Sequence, residues 1–436
     1  MKERENSSCK KFLDIWTAKK IRLSQKGVTS KLYKAESDFK LPKENPASGS
    51  ETGNPAAQLT RDEIEQYTAK KLKETVSLAV ANSPFYREKL KDFLPEAEAT
   101  TAEISGTESA GMRSEYEDVP VTATADIIDK KTFARLPFTT ADELRSRGSE
   151  FLCANYNEIS RIVTLDTGGS TGEPKRIYFT EEDQQLTVDY FENGMQLIVG
   201  SSDKVLILMP AKMPGSIGRL LAQGLENFGA KVVAYGLPKM HSNAADAEAA
   251  RLLELIKKEQ ITSVVALPTH MGALAKVALD SVGSAASSDV NSDGKEKSHV
   301  MPHDALKLRS VLLSAEYVSQ EDVELIEKAF ACKVYEHYGM TEMGLGCAVS
   351  CGQGEGYHIR EADLYIEIID PETGENIEDE RIGEIVFTTL TRKGMPFIRY
   401  RTGDYSRWIT EECPCGSILK RIAKVGPRNQ IKGYLR

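Results

Sequence analysis

At 436 residues and 48.1 kDa, the chain is too long for one small core, so two or three subdomains are expected. Its formal net charge of −9 argues against a nucleic-acid or anionic-membrane surface, and no apolar run is long enough to span a bilayer. Met1-Lys2-Glu3-Arg4 leads into no apolar segment of the secretory kind, so the cytoplasm is expected, where the seven cysteines stay reduced and suit metal binding or core positions before disulfides.

Residues 1–59 read as an N-terminal extension and linker, with one amphipathic segment at Phe12–Trp16 and a Pro-, Asn-, Gly- and Ser-rich stretch after it. Thr60-Arg61-Asp62-Glu63 then opens a helix with a capping box, and Pro84 should end it at or before Ser83. An α/β core spans 60–345, interrupted by low-complexity insertions at 94–122 and 281–303 that carry too few large apolar side chains to bury. Thr139-Thr140-Ala141-Asp142-Glu143-Leu144 reads as a further helix start. Within the core, the runs Val205–Met209, Lys231–Tyr235, Ser263–Leu267 and Ser310–Ser314 are strand-like. They alternate with helix-like segments at Ile217–Phe228, Ala244–Glu259, Met271–Leu279 and Gln320–Phe330. That alternation predicts a mostly parallel sheet covered by helices. Residues 346–426 change pattern to hairpin material, Tyr365–Ile369 and Glu384–Thr389, and read as a small antiparallel β subdomain. Residues 427–436 read as a short hinge.

Asp166-Thr167-Gly168-Gly169-Ser170-Thr171-Gly172-Glu173-Pro174-Lys175 lies between two strand-like segments, Ile159–Val163 and Arg176–Phe179. Its glycines let backbone N–H groups turn inward, and its hydroxyls and lysine add donors and charge, which suits a polyphosphate. The G-x-x-x-x-G-K-[ST] pattern is absent, so a strand–turn–strand is expected instead of a P-loop. A second signal is Tyr335-Glu336-His337-Tyr338-Gly339-Met340-Thr341-Glu342. Tyr338 offers a stacking face, Gly339 close backbone approach, Thr341 a hydroxyl for a phosphate and Glu342 a hard oxygen for Mg²⁺; a buried tyrosine and a surface glutamate would read the same. A third is Arg399-Tyr400-Arg401-Thr402-Gly403-Asp404, where Asp404 is either a ribose ligand or an exposed turn residue. Cys351, His358, Cys413 and Cys415 have the ligand types of a Cys₃His zinc site, or are unrelated thiols and a histidine.

In this order the motifs resemble the adenylate-forming enzyme superfamily, closest to its phenylacetate–coenzyme A ligase branch, over roughly residues 60–432. Pro84–Arg87, Leu136–Thr140 and Phe387–Thr391 carry the same likeness. The resemblance implies the large N-terminal domain of that fold, in which ATP and an organic acid, aryl or short acyl, give an acyl adenylate and pyrophosphate, with coenzyme A as a candidate acceptor. It assigns Ser170, Thr171, Gly172 and Lys175 to the β- and γ-phosphates, with Thr167 also in the nucleotide site. It assigns Ala315, Glu316 and Tyr338 to adenine, Thr341 to the α-phosphate with Gly339 also in the nucleotide site, Glu342 to Mg²⁺, and Asp404 and Arg428 to ribose. Catalysis would fall to Lys175, Thr341 and Glu342, and the acid would lie near Tyr235, Gly236, His270 and Ser314; His270 reads equally as a core polar residue. The resemblance also suggests a homodimer.

The sequence departs from the family at its end, where Arg428-Asn429-Gln430 lacks an acidic hinge residue and the lysine-bearing mobile C-terminal domain has no counterpart. Two alternatives therefore accompany the ligase expectation: a noncatalytic ATP- or AMP-binding module, and a subunit whose partner protein supplies the missing domain.

Overall fold

The computed structural model describes residues 2–25, 59–93, 129–165, 174–240, 245–288 and 306–426. The first helix, α1 (Lys2–Gln25), is no loose extension, because Leu13, Trp16 and Ile21 are buried in a core shared with later helices. Its buried Lys20 ion-pairs with Asp363 at 2.5 Å, Trp16 Nε1 donates to Asp189 at 3.2 Å, and Asp14 accepts from the Ile418 N–H at 3.2 Å. The linker stretch 26–58 and the insertion 94–122 lie outside the described residues.

Helix α2 (Arg61–Asn82) begins on the expected capping box between Thr60 and Glu63. It stops before Pro84, whose missing N–H and fixed φ suit the first turn of α3 (Pro84–Leu90), capped by the Ser83 hydroxyl. Two short helices follow, α4 (Lys130–Ala134) and α5 (Ala141–Arg147), the latter capped by Thr140 and Glu143. Strands β1 (Ile159–Leu165) and β2 (Lys175–Thr180) then pair antiparallel, with Leu165 opposite Lys175, so the strand–turn–strand expectation holds for the flanks. The loop between them, 166–173, lies outside the described residues. Helix α6 (Glu181–Met195), which the sequence reading passed over, starts on a Thr180–Asp183 capping box.

From there the alternation is as expected: β3 (Lys204–Ile207), α7 (Ile217–Asn227), β4 (Lys231–Ala234), α8 (Ala245–Glu259), β5 (Ser263–Ala266), α9 (Pro268–Ser288), β6 (Ser310–Leu313), the helix Gln320–Phe330 and β7 (Lys333–Tyr338). Helix α9 runs into the insertion assigned to 281–303, through Ser288; residues 289–305 lie outside the described set. The strands pair in parallel in the order β4-β3-β5-β6-β7. Alternate residues serve opposite layers, as the period of two requires. Leu206, Val264 and Val311 face the α8, α9 and Gln320–Phe330 side, whereas Val205, Val265 and Leu312 face α1, α6 and α7.

The C-terminal strands divide differently from a single small subdomain. Strands β8 (Ala348–Val349) and β9 (Tyr357–Ile359) continue the parallel sheet in antiparallel fashion. Strands β10 (Leu364–Ile369), β11 (Gly383–Thr389) and β12 (Tyr400–Ser406) form a separate three-stranded antiparallel sheet. Finally, β13 (Trp408–Ile409) and β14 (Arg421–Ile422) rejoin the large sheet, which reaches nine strands in the order β13-β14-β9-β8-β7-β6-β5-β3-β4. The chain crosses out and back because β9 and β14 share hydrogen bonds across the intervening small sheet in sequence.

Candidate functional site

Parallel strands gather ligands at their carboxyl ends, where successive connections leave a crevice. Met209 follows β3, Tyr235 and Gly236 follow β4, Pro268 to His270 follow β5, Ser314 to Glu316 follow β6, and Gly339 to Glu342 follow β7. Five separated stretches of sequence are thereby brought to one edge.

Glu342 sits in a 3₁₀ turn, Thr341–Met343, just beyond β7, with its side chain 1% exposed. Lys175, the first residue of β2, ion-pairs with Glu342 Oε1. Tyr400 of β12 also donates to Oε1, at 3.4 Å. A buried carboxylate needs such partners, because desolvation alone would make its charge costly. The turn is held from behind by Arg392, which the sequence reading assigned no role. Its guanidinium donates to the Glu342 carbonyl at 3.0 Å and the Tyr178 carbonyl at 2.7 Å, and lies 4.3 Å from the Phe179 ring centroid. Burial pulls the Arg392 pKa down, while Asp183 and Glu342 oppose the shift. The only sequence signal for it is an arginine directly after the stretch Phe387-Thr388-Thr389-Leu390-Thr391.

Tyr338, half-buried at the end of β7, donates from its hydroxyl to Asp404 Oδ2 at 3.1 Å. Burial and the neighbouring Asp404 charge hold its phenol well above the usual range. Asp404 lies on β12 after Gly403, whose φ of 72° places it in the left-handed region that glycine tolerates. Gly339 is required for a different reason: a Cβ there would come within 2.7 Å of Gly346 Cα. After β6, Ala315 has a φ of 72°, a strained value for a residue with a Cβ, and the next side chain, Glu316, accepts from the Thr269 hydroxyl at 2.8 Å.

Among the residues expected around an acid, only Ser314 lines the apolar cavity between the sheet and helices α6 and α7. Met195, Met209, Leu221, Leu312, Tyr190 and His337 line the same cavity. Tyr235 turns elsewhere, its hydroxyl donating to Glu248 of α8 at 2.6 Å, and His270 is buried on α9. Gly236, at a φ of 97°, has open space where a Cβ would stand. Thr167, Ser170, Thr171, Gly172 and Arg428 lie outside the described residues.

Cys351, His358, Cys413 and Cys415 converge although 62 residues separate the first cysteine from the third ligand in line. Their candidate ligand atoms all lie within 4.8 Å of one another and all four residues are buried. Cys351 Sγ is 3.6 Å from Cys413 Sγ, and Cys415 Sγ is 3.3 Å from His358 Nε2. A tetrahedral zinc with Zn–S of about 2.3 Å and Zn–N of about 2.0 Å needs edges near 3.8 and 3.5 Å, so the donor set and its size fit that ion.

The sequence pattern of one family, described as AMP-binding enzyme, matches residues 92–390, well over half the chain. Phenylacetate–coenzyme A ligase of Pseudomonas putida is 28% identical over 309 residues, covering 70% of this chain. The chain spans 63% of that relative's length. The ligase of the same name from Thermus thermophilus is 25% identical over 374 residues, covering 84% of this chain and 71% of the relative. A solved 2-hydroxyisobutyryl-CoA ligase superposes with a TM-score of 0.65 at 19% identity, over 84% of this chain and 70% of that one, a likeness of fold.

Proposed function

We propose a function from one premise: the chain belongs to the AMP-binding enzyme family. It activates an organic carboxylic acid with ATP to an acyl adenylate, releasing pyrophosphate, and coenzyme A is the acceptor of the acyl group. The relatives named phenylacetate–coenzyme A ligase favour an aryl or short acyl acid. The observation that carries this reading is the meeting of Lys175 with Glu342, and of Tyr338 with Asp404, at the carboxyl edge of one parallel sheet.

The residues divide the work by chemistry. Tyr338 stacks on the adenine that Ala315 and Glu316 border, and Asp404 accepts the ribose hydroxyls. Thr341 donates to the α-phosphate with Gly339 backing it. Lys175 leaves Glu342 to hold the β- and γ-phosphates with Thr167, Ser170, Thr171 and Gly172, and its departure releases the Glu342 carboxylate. The freed Glu342 carboxylate would be the group to hold Mg²⁺, which would supply charge neutralisation on the phosphate oxygens. The attacking carboxylate oxygen forms its bond to the α-phosphorus as the bond to pyrophosphate breaks, and positioned donors stabilise the charge that spreads over both.

Zinc belongs to the same reading as a structural ion. Cys351, His358, Cys413 and Cys415 would hold it, and it would tie the segment after Glu342 to the segment after Asp404, keeping two groups that face one nucleotide in register.

The test is acid-dependent exchange between labelled pyrophosphate and ATP across a panel of aryl and short acyl acids. Exchange with at least one acid supports the reading, and coenzyme A consumption with that acid extends it to thioester formation. Tight nucleotide binding without any exchange would point to a noncatalytic nucleotide module.

A further inference from the structure

We propose that Asp14, on the N-terminal helix α1, is a positioning residue for the metal cluster: by fixing the Ser417 turn it aims a backbone N–H at the Cys415 sulfur and tightens the hold on zinc. The inference rests on the zinc reading above and is independent of the adenylation chemistry.

Cys413-Pro414-Cys415-Gly416-Ser417 supplies two of the four candidate ligands from one short turn. Inside it, the Gly416 N–H donates to the Cys413 carbonyl at 2.8 Å, and the Ser417 N–H donates to Cys415 Sγ at 3.5 Å. A thiolate that ligates a metal keeps negative charge on sulfur, and an N–H aimed at it stabilises that charge and orients the ligand.

The orientation of the Ser417 peptide is set from outside the turn. One Asp14 carboxylate oxygen accepts from the Ser417 hydroxyl and the other from the Ile418 N–H at 3.2 Å, across 403 and 404 positions of sequence. The Ser417 hydroxyl accepts in turn from the Leu419 N–H at 3.3 Å, so its hydrogen is committed to Asp14. Asp14 is 7% and Ser417 8% exposed, so solvent does not replace a partner lost there. Helix α2 holds the same segment further on. Arg61 donates to the Ile418 carbonyl at 3.3 Å and pairs with Glu361, which accepts from the Lys420 N–H at 2.8 Å. Those contacts act beyond the N–H that faces the sulfur, whereas Asp14 acts on its own residue and the next.

Anchoring α1 does not by itself explain Asp14. Leu13, Trp16 and Ile21 already bury the helix, and Lys20 pairs with Asp363. A carboxylate behind a thiolate cluster adds charge of the same sign, so the donors it holds account for its place. Both α1 and the Cys413–Cys415 turn lie outside residues 92–390, which carry the AMP-binding enzyme pattern; the contact joins two segments that flank that pattern.

The experiment measures zinc affinity of the full chain by competition with a chromophoric chelator, and reads the site spectroscopically after loading with Co²⁺ instead of zinc. Asp14→Ala should weaken zinc binding by about 10- to 100-fold and shift the sulfur-to-cobalt charge-transfer band, as loss of an outer partner of a metal ligand does. Asp14→Asn keeps an oxygen for the Ile418 N–H and an amide for the Ser417 hydroxyl, so it should retain most of the affinity. Ser417→Ala supplies a second variant, with a smaller loss because Asp14 keeps Ile418. Trp16→Ala is the control: it removes the contacts to Asp189 and Tyr190 without touching the turn, and should lower the Tm while affinity and band stay unchanged. Wild-type zinc affinity in Asp14→Ala overturns the inference, as does an equal loss in Asp14→Ala and Trp16→Ala, which would make helix docking as a whole the cause. A wild-type chain that takes up neither zinc nor cobalt refutes the zinc reading, and this inference falls with it.

Discussion

The Tyr338 hydroxyl donates to Asp404 Oδ2 at 3.1 Å, joining the last parallel strand of the large sheet to the edge strand of the small one across 66 residues of sequence. Asp404→Ala should weaken ATP binding by about 10- to 100-fold, the range for a lost hydrogen bond to a charged group. Tyr338→Phe keeps the stacking face and should cost only several-fold. Titration calorimetry with ATP distinguishes the two, and equal losses would argue against separate roles.

Lys175 and Glu342 form an ion pair in which the carboxylate is 1% and the lysine side chain 16% exposed. Removing one partner strands the other, so Lys175→Ala should destabilise the protein by roughly 3 kcal/mol and slow exchange by about 10²-fold or more. Glu342→Gln, which keeps volume and removes charge, should lose exchange with a smaller fall in stability. Denaturant unfolding and exchange rates on both variants check this, and wild-type exchange in either would mean the site is misassigned.

For the Cys351, His358, Cys413 and Cys415 cluster, native mass spectrometry should find one zinc per chain, absent in Cys413→Ser. Chelation should lower the Tm by several degrees, since binding energy of a structural ion is folding energy. Full metal content in Cys413→Ser would remove that residue from the ligand set.

His337 sets a pH dependence whose sign follows from burial. Its folded pKa of about 4 lies below the unfolded value of about 6.5. Between those values the unfolded chain binds a proton that the folded chain refuses, so stability falls as pH drops from about 6.5 to 4 and is unaffected above that window. The loss is on the order of 3 kcal/mol by pH 4. Differential scanning calorimetry across that range should show a shallower decline for His337→Gln, and parallel curves would contradict the assignment.

The helix α1 should prove structural. Trp16 is 5% exposed and packs against Tyr190 with ring centroids 6.3 Å apart. Trp16→Ala should cost about 3 kcal/mol by cavity formation, while exchange measured well below the lowered Tm stays near wild type. Loss of exchange in the still-folded variant would instead tie α1 to the site.

Local chemistry was legible in the order of residues. The β/α alternation, the capping box at Thr60, the helix start within Thr139–Leu144 and the stop at Pro84 depend on neighbours a few positions apart, and all four are present. Residue type and order also marked Lys175, Tyr338, Glu342 and Asp404 as candidates, because a flat ring, carboxylates and a lysine beside glycines are the groups a nucleotide site uses, although each alone reads as an ordinary core or surface residue. Partnership was not legible. That Glu342 takes Lys175 and Tyr400, that Arg392 braces its turn, and that β9 finds β14 past an entire intervening sheet all depend on contacts between residues tens to hundreds of positions apart. Helix α1 shows the same limit, for its burial is decided by Asp189, Asp363 and Ser417, none of them near it in sequence. Asp14 is the sharpest case: an aspartate among many in the sequence, it stands out only once folding sets it against Ser417, 403 positions away, behind the Cys415 sulfur.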